Sequence, residues 1–252
     1  MPERERFTFP GALDAPVAGI LDRPDGEARG VVLYAHCFTC SKDTIASARI
    51  AGALVDAGFA AARIDFTGLG ESGGDFRDTS FSSNIEDLVL AAEYLGGRGA
   101  APDLLAGHSL GGAAVLASAA HLPGLRAVAT VAAPYTVAAL HRHFTGQREQ
   151  IERDGGADVM LAGRPLPISR GFVHDLDRHD IAAAVAALRA PVLFVHATGD
   201  REVPFADAER LYAAAREPKR LVPLEDASHL LTRHDSASRA GRAIARWFIE
   251  QG

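Results

Sequence analysis

Leu104-Leu105-Ala106-Gly107-His108-Ser109-Leu110-Gly111-Gly112 is the stretch that decides the fold. Residues 107–111 match the pattern G-x-S-x-G, in which a serine occupies a sharp turn between a strand and a helix. The positions two before and two after the serine are crowded in such a turn, so both require glycine. A short apolar run precedes the turn, and small residues that suit a helix follow it. The stretch therefore predicts strand, turn and helix, with Ser109 as a nucleophile.

The composition is that of one globular domain. The chain has 252 residues, of which 48% are hydrophobic and 23% charged, and its formal net charge is -6. This acidic balance argues against a nucleic-acid or anionic-membrane partner. Its first residues lack the apolar run of a secretion signal, and no apolar run approaches the ~20 residues of a membrane span. Two cysteines are too few for a disulfide framework. We therefore expect a cytoplasmic protein.

Strand-like and helix-like segments alternate along most of the chain. Runs typical of strands buried on both faces occur at 31–35, which is unbroken and apolar, and at 127–132 and 192–196, which are mostly apolar. Apolar residues at helical spacing lie between such runs, for example from Ile85 to Leu95. This alternation predicts an α/β fold with a mostly parallel twisted sheet, helices on both faces and functional residues at the carboxyl ends of the strands.

One region breaks the alternation. Residues 134–180 contain no buried strand of the core type, residues 137–153 are helical in character but polar, and residues 158–168 suggest a small hairpin. We predict that 134–180 form a small cap inserted over the active site. Residues 1–133 and 181–252 would then form the core.

A serine nucleophile needs a histidine base, and the histidine needs a carboxylate that orients it. Asp200 follows the buried run that ends at His196, which places it at the carboxyl end of a strand. We predict that Asp200 is this carboxylate. Its less well placed rivals are Asp207, Glu225 and Asp226.

The predicted base is His229. It follows the strand-like run 220–224 and precedes the last helix, where the histidine lies when the chain order is serine, acid, histidine. His234 is its nearest competitor. The sequence therefore predicts that Ser109, Asp200 and His229 act together.

The predicted oxyanion hole needs two backbone N–H groups that point at the same space as the serine. One is expected from Leu110, the residue after the nucleophile, and the other from the loop that follows the run 31–35. Phe38 is the preferred donor in that loop and Cys37 the fallback. We expect His36 to brace the loop by hydrogen bonds.

With these residues assembled, the chain resembles the α/β-hydrolase superfamily over nearly all of its length. The features that carry the resemblance are the Ser109 turn, the His36 loop, the loop Asp65–Ser72, the acid turn 196–204 and His229. The resemblance implies a carboxylesterase-type serine hydrolase that cleaves small to medium esters through an acyl-enzyme, with no metal or cofactor. Thioesterase, amidase and perhydrolase activities are the alternatives. It also implies that Asp65–Ser72 is mainly structural.

More narrowly, the chain resembles the hydrolase module that some bacteria fuse to an osmotically-induced-protein-C-like peroxidase domain. The matching segments are residues 36–43, 65–72 and 81–84. Cys37 stands where the common hydrolase pattern has His-Gly.

Cys37 and Cys40 have C-x-x-C spacing, which permits a redox pair. No thioredoxin-like chain order surrounds them, so dithiol chemistry is disfavoured as the main activity. A regulatory role stays open, in which oxidation of the pair displaces the Phe38 donor and slows the esterase.

Two further alternatives concern other classes of protein. A metal site is conceivable where histidines and aspartates cluster, but we interpret these residues as a solvated cap surface; they are His141, His143, His174, Asp175, Asp177, His179 and Asp180. A non-catalytic binding protein of this fold usually lacks a member of the triad, and all three are present. Serine at position 109 excludes an aspartate nucleophile.

Overall fold

The computed structural model describes residues 3–161, 163–233 and 235–252, in which strands and helices alternate as predicted. The strands are β1 (Glu3–Pro10), β2 (Pro16–Arg23), β3 (Val31–Ala35), β4 (Ala60–Ile64), β5 (Leu104–His108), β6 (Ala127–Val131), β7 (Gly156–Leu161), β8 (Arg164–Ser169), β9 (Val192–Ala197) and β10 (Lys219–Leu224). The α-helices are α1 (Ile45–Asp56), α2 (Phe81–Gly97), α3 (Leu110–Ser118), α4 (Arg148–Asp154), α5 (Arg170–Leu176), α6 (Ile181–Ala187), α7 (Phe205–Ala214) and α8 (Ser236–Ile249). Short 3-10 segments occur at Ala12–Asp14, Phe76–Asp78, Ala119–His121, Val137–His143 and Thr145–Gln147.

The main sheet of the described chain has eight strands in the order β1-β2-β4-β3-β5-β6-β9-β10. The pairs β1–β2 and β2–β4 are antiparallel, and every other neighbouring pair is parallel. The predicted α/β fold class is therefore confirmed, and an antiparallel hairpin, β1–β2, leads into the parallel part of the sheet.

Each face of this sheet buries its own apolar layer. Along β3, Leu33 and Ala35 face one layer while Val32 and Tyr34 face the other, which is the two-residue period of a strand. The helices α2 and α3 cover the first layer, and α1 and α8 cover the second. Since both faces are covered, the central strands read as mostly apolar runs, interrupted by Arg63 in β4 and Thr130 in β6.

The parallel register brings four loops to one edge of the sheet. The chain leaves β3 at His36, β5 at Ser109 and β9 at Thr198, and the loop after β10 carries His229. Carboxyl ends of parallel strands form the usual site in open α/β sheets.

The segment between β6 and α6 contains α4, α5 and an antiparallel hairpin, β7–β8. The predicted hairpin at 158–168 is present, although Ala162 lies outside the described residues. Phe144, Ile151 and Phe172 from this segment are buried against the first apolar layer. Its role as a cap stays a prediction.

No helix in the described ranges combines the length and apolar character that crossing a membrane requires.

Candidate active site

Ser109 lies on a tight turn between β5 and α3. Its φ of 54° and ψ of -121° place a non-glycine residue in a backbone region that is unfavourable for L-residues. A Cβ atom on Gly111 would lie 2.3 Å from the carbonyl oxygen of His36, and one on Gly107 would lie 2.3 Å from that of Gly111. Both positions therefore need glycine, and the crowding inferred from the sequence is present.

His229 joins Ser109 to Asp200. Its Nδ1 lies 2.8 Å from Asp200 Oδ2, and its Nε2 lies 2.9 Å from Ser109 Oγ. A carboxylate oxygen accepts hydrogen bonds, so Nδ1 carries the proton and Nε2 is free to accept from the serine hydroxyl. The structure thus brings together three residues that lie up to 120 positions apart in the chain.

Asp200 is buried, and two backbone N–H groups hold its carboxylate in addition to His229. Its Oδ1 accepts the N–H groups of Glu202 and Val203, each at 2.9 Å. Burial favours a higher pKa for Asp200, but the hydrogen bond and charge of His229, with the two N–H groups, outweigh it and lower the pKa. Asp200 therefore stays an anion facing the imidazole.

The loop after β3 lies beside these residues. Phe38 and Leu110, whose N–H groups are the predicted oxyanion donors, line the same cavity as Ser109 and His229. His36 braces this loop as expected, because its Nδ1 donates to the Cys37 carbonyl at 2.8 Å while Nε2 accepts from the Phe66 N–H at 3.2 Å.

The cavity over Ser109 has a volume of about 380 Å³ and is largely apolar. Its apolar lining residues are Phe38, Leu110, Pro134, Ala139, Leu140, Met160, Leu161, Val203, Pro204 and Leu230. Arg142, which pairs with Glu202 at 3.4 Å, lies among its polar lining residues. Such a cavity suits an apolar group attached to a reacting carbonyl.

Comparison with known proteins identifies the family. The esterase domain of a Rhodothermus marinus protein is 38% identical, with a TM-score of 0.80, and the match covers 99% of this chain and 100% of that chain. The chain belongs to the α/β-hydrolase superfamily. The family described as "Serine aminopeptidase, S33" matches residues 26–150 of this hydrolase.

Two other proteins are similar to this chain at lower sequence identity. The "Uncharacterized protein YfhR" of Salmonella typhimurium is 31% identical over 170 residues, or 66% of this hydrolase; the match spans about half, 53%, of YfhR. Est1E from Butyrivibrio proteoclasticus, with ferulic acid bound, shares the fold at 21% identity and a TM-score of 0.82, covering 97% of this chain and 98% of that one.

The other candidate acids, Asp207 and Asp226, bind different partners. Asp207 accepts the N–H of Tyr135 at 3.0 Å, and exposed Asp226 lies 3.6 Å from Arg233. In the described ranges, neither these two nor Glu225 hydrogen-bonds His229. His234, the rival base, lies outside the described residues.

Cys37 and Cys40 form a disulfide, with their Cα atoms 5.3 Å apart. The disulfide closes a ring around Phe38 and Thr39, and Arg164 of β8 donates to the Thr39 carbonyl at 2.8 Å. The loop that carries the predicted oxyanion donor is therefore closed covalently and tied to the β7–β8 hairpin.

A buried ion pair fixes the far end of this loop, and the sequence reasoning missed it. Lys42 is 1% exposed; its Nζ donates to Asp65 at 2.8 Å and to Glu71 at 2.6 Å, while its N–H donates to Asp65 at 2.6 Å. This agrees with the structural role that the resemblance implied for Asp65–Ser72.

Two buried histidines next to the site were also missed. Nε2 of His108 lies 2.8 Å from the His229 carbonyl oxygen, and Nε2 of His196 lies 2.9 Å from that of Val203. Burial lowers the pKa of His108 to about 3 and also lowers the pKa of His196. The signal in the sequence that could have revealed both residues was a histidine near the end of an otherwise apolar strand.

The interpretation of the 174–180 cluster as a solvated surface is wrong for Asp175. This carboxylate is buried and accepts both the N–H and the hydroxyl of Ser82, at 2.7 and 2.8 Å. It therefore ties α5 to the start of α2. Across the described ranges, no three or more His, Cys, Asp or Glu side chains are grouped to hold a metal ion.

Proposed function

We propose that this hydrolase is a carboxylesterase-type serine hydrolase that cleaves small to medium carboxylic esters through an acyl-enzyme. The observation that carries the proposal is the imidazole of His229, which contacts Ser109 Oγ at 2.9 Å and Asp200 Oδ2 at 2.8 Å. The 38% identity to an esterase domain supports the same activity. Asp200, Ser109 and His229 are accordingly the proposed catalytic residues.

The proposed reaction begins when Ser109 Oγ attacks the ester carbonyl carbon and His229 Nε2 takes its proton. The N–H groups of Phe38 and Leu110 donate to the oxyanion, and losing one such donor costs about 3–4 kcal/mol of transition-state stabilisation. His229 then protonates the leaving alcohol. A water molecule deprotonated by the same nitrogen attacks the acyl-enzyme and releases Ser109. Asp200 holds the imidazole in the required tautomer throughout.

The proposed cap sets the acyl preference. Ala139, Leu140 and Leu161 from residues 134–180 line the cavity above Ser109. Met160 in the same segment is 65% exposed, so it offers apolar surface at the mouth. A cavity of about 380 Å³ with this lining favours short and medium apolar acyl groups.

A panel of p-nitrophenyl esters with graded acyl length tests the proposed function. We expect kcat/KM to be highest for short to medium chains and to fall for long ones that outgrow the cavity. Matched thioesters and anilides serve as controls for the alternative activities, with oxygen esters expected to react best. Absence of ester hydrolysis above the buffer rate, or a clear preference for thioester or amide, would contradict the proposal.

We infer a second property from the Cys37–Cys40 disulfide, namely that activity depends on its redox state. With the disulfide closed, His229 still contacts Ser109 and Phe38 lines the cavity. This supports the oxidised loop as the competent form, the reverse of the direction expected from the sequence. A dithiol reductant would convert the disulfide to two thiols, become a disulfide itself and free the ring around Phe38. A cytoplasmic location, part of this proposal, would expose the pair to such reductants.

Treatment with dithiothreitol is therefore expected to lower kcat by roughly 3- to 30-fold, because a loosened donor loses part of its contribution to the oxyanion. The redox state is confirmed by mass after alkylation. The double variant Cys37→Ser/Cys40→Ser is the matched control, and its rate should not respond to dithiothreitol. Equal rates for the oxidised and reduced enzyme would end the redox proposal.

A further inference from the structure

We propose that His108 is a positioning residue, whose neutral imidazole holds the main-chain carbonyl of His229 and so aims the base at Ser109. This inference rests on the proposed function. It assigns a task to His108, the first of the two variable positions inside the Gly107–Gly111 motif.

The geometry joins two neighbouring residues to one partner. His108 ends β5 and Ser109 follows it directly, so the same strand presents both side chains to the loop after β10. His108 Nε2 contacts the His229 carbonyl oxygen at 2.8 Å, while Ser109 Oγ contacts the His229 imidazole at 2.9 Å. Backbone and side chain of the base are thereby fixed from a single point of the sheet.

Among the described residues of the loop that carries His229, the main chain receives few hydrogen bonds from the core; besides His108, Arg239 of α8 donates to the Glu225 carbonyl at 3.1 Å. Asp226 and Leu231 have φ values of 55° and 53°, so the backbone turns sharply on both sides of His229. Leu231 N–H bonds within the loop to the Ser228 carbonyl. Between the described residues of this loop and β5, the His108 bond is the one hydrogen bond that reaches the main chain of the loop.

The protonation state of His108 fits this role. A carbonyl oxygen only accepts, so the proton lies on Nε2 of the 2%-exposed imidazole. Its ring centroid is 5.3 Å from that of His229, where a second cation would oppose formation of the imidazolium. Burial is the main cause that lowers the pKa of His108 to about 3, and the charge of the neighbouring His229 adds to it. His108 therefore remains neutral while His229 gains and loses a proton.

The test compares His108→Leu, which has similar bulk and no donor, with His108→Gln, whose amide can donate near the position of Nε2. For the Leu variant we expect kcat per titrated active site to fall roughly 10- to 100-fold with KM changed less than about twofold, since slight misplacement of a catalytic group is costly. The kcat of the Gln variant should be at least about tenfold higher than that of the Leu variant. Ile244→Val, a truncation in the buried apolar layer under α8 and outside the residues that line the cavity, controls for a general loss of stability.

Three results separate the possibilities. A Leu variant that keeps kcat within about twofold of the wild type, or a Gln variant no better than Leu, overturns the positioning role. The positioning role is also overturned if Ile244→Val, at matched thermal stability, loses as much kcat as His108→Leu. Full activity of Ser109→Ala would instead refute the proposed function, so the two failures are distinguishable.

Discussion

Replacement of Ser109 by alanine is expected to lower kcat for p-nitrophenyl butyrate by roughly 10⁵- to 10⁶-fold, as loss of a nucleophile does in serine hydrolases. The substitution removes the attacking oxygen but keeps the turn, because alanine meets the same backbone geometry as serine at a φ of 54°. We expect a normal circular dichroism spectrum and a thermal midpoint within a few degrees of the wild type. Long progress curves on purified protein measure the residual rate.

The matched control is Ser118→Ala. Ser118 is a buried serine at the other end of α3, and its hydroxyl bonds to the Val115 carbonyl at 3.3 Å, away from the site. Its kcat should equal that of the wild type. A Ser109→Ala enzyme that keeps most of its activity would remove Ser109 from the reaction.

Gly111→Ala is expected to have the second largest effect, on stability and activity together. The new Cβ would lie 2.3 Å from the His36 carbonyl oxygen and 2.7 Å from that of Ala35, both main-chain atoms that no side-chain rotation can move away. To relieve this clash, α3 must move away from the end of β3. That movement would displace both Ser109 and the Phe38 loop. We expect the free energy of unfolding to fall by about 3 kcal/mol or more and kcat by at least tenfold.

Gly52→Ala provides the control for this substitution. Gly52 lies inside α1 with no atom within 4 Å of the position that its Cβ would take. Alanine there should raise the free energy of unfolding by about 0.5–1 kcal/mol, because glycine loses more backbone entropy in a helix. Denaturant titration of both variants measures the contrast. If Gly111→Ala is as stable and as active as the wild type, the account of the turn is wrong.

Features governed by neighbouring residues were predictable from the sequence. The alternation of apolar runs identified the parallel strands, and the crowding at Gly107 and Gly111 follows from the turn itself. Exact helix starts are less predictable: the helix after β3 begins at Ile45 with Thr44 as its N-cap, although Ser41 lies three residues earlier. Both residues can cap a helix, and the carbonyl of Ser41 instead accepts the Thr44 N–H.

Features that depend on distant partners were not predictable. The acceptor of His108 lies 121 residues away along the chain, and the donors to Asp175 lie 93 residues away. Neither pairing leaves a periodic or compositional trace in the sequence. The contact between Asp200 and His229 could be expected, because chain order and strand ends restrict where an acid and a base can lie.

The most direct measurement of the central claim is covalent labelling with phenylmethylsulfonyl fluoride, followed by peptide mass mapping. The account predicts one adduct per chain, on Ser109, with labelling that slows sharply in His229→Ala and parallels the loss of esterase activity. Ser82 provides an internal comparison, because its hydroxyl also lies near a histidine, 3.0 Å from His179 Nε2, but at a different place in the fold. An adduct on Ser82 or another residue that accounts for the inactivation, with Ser109 unmodified, would contradict the account.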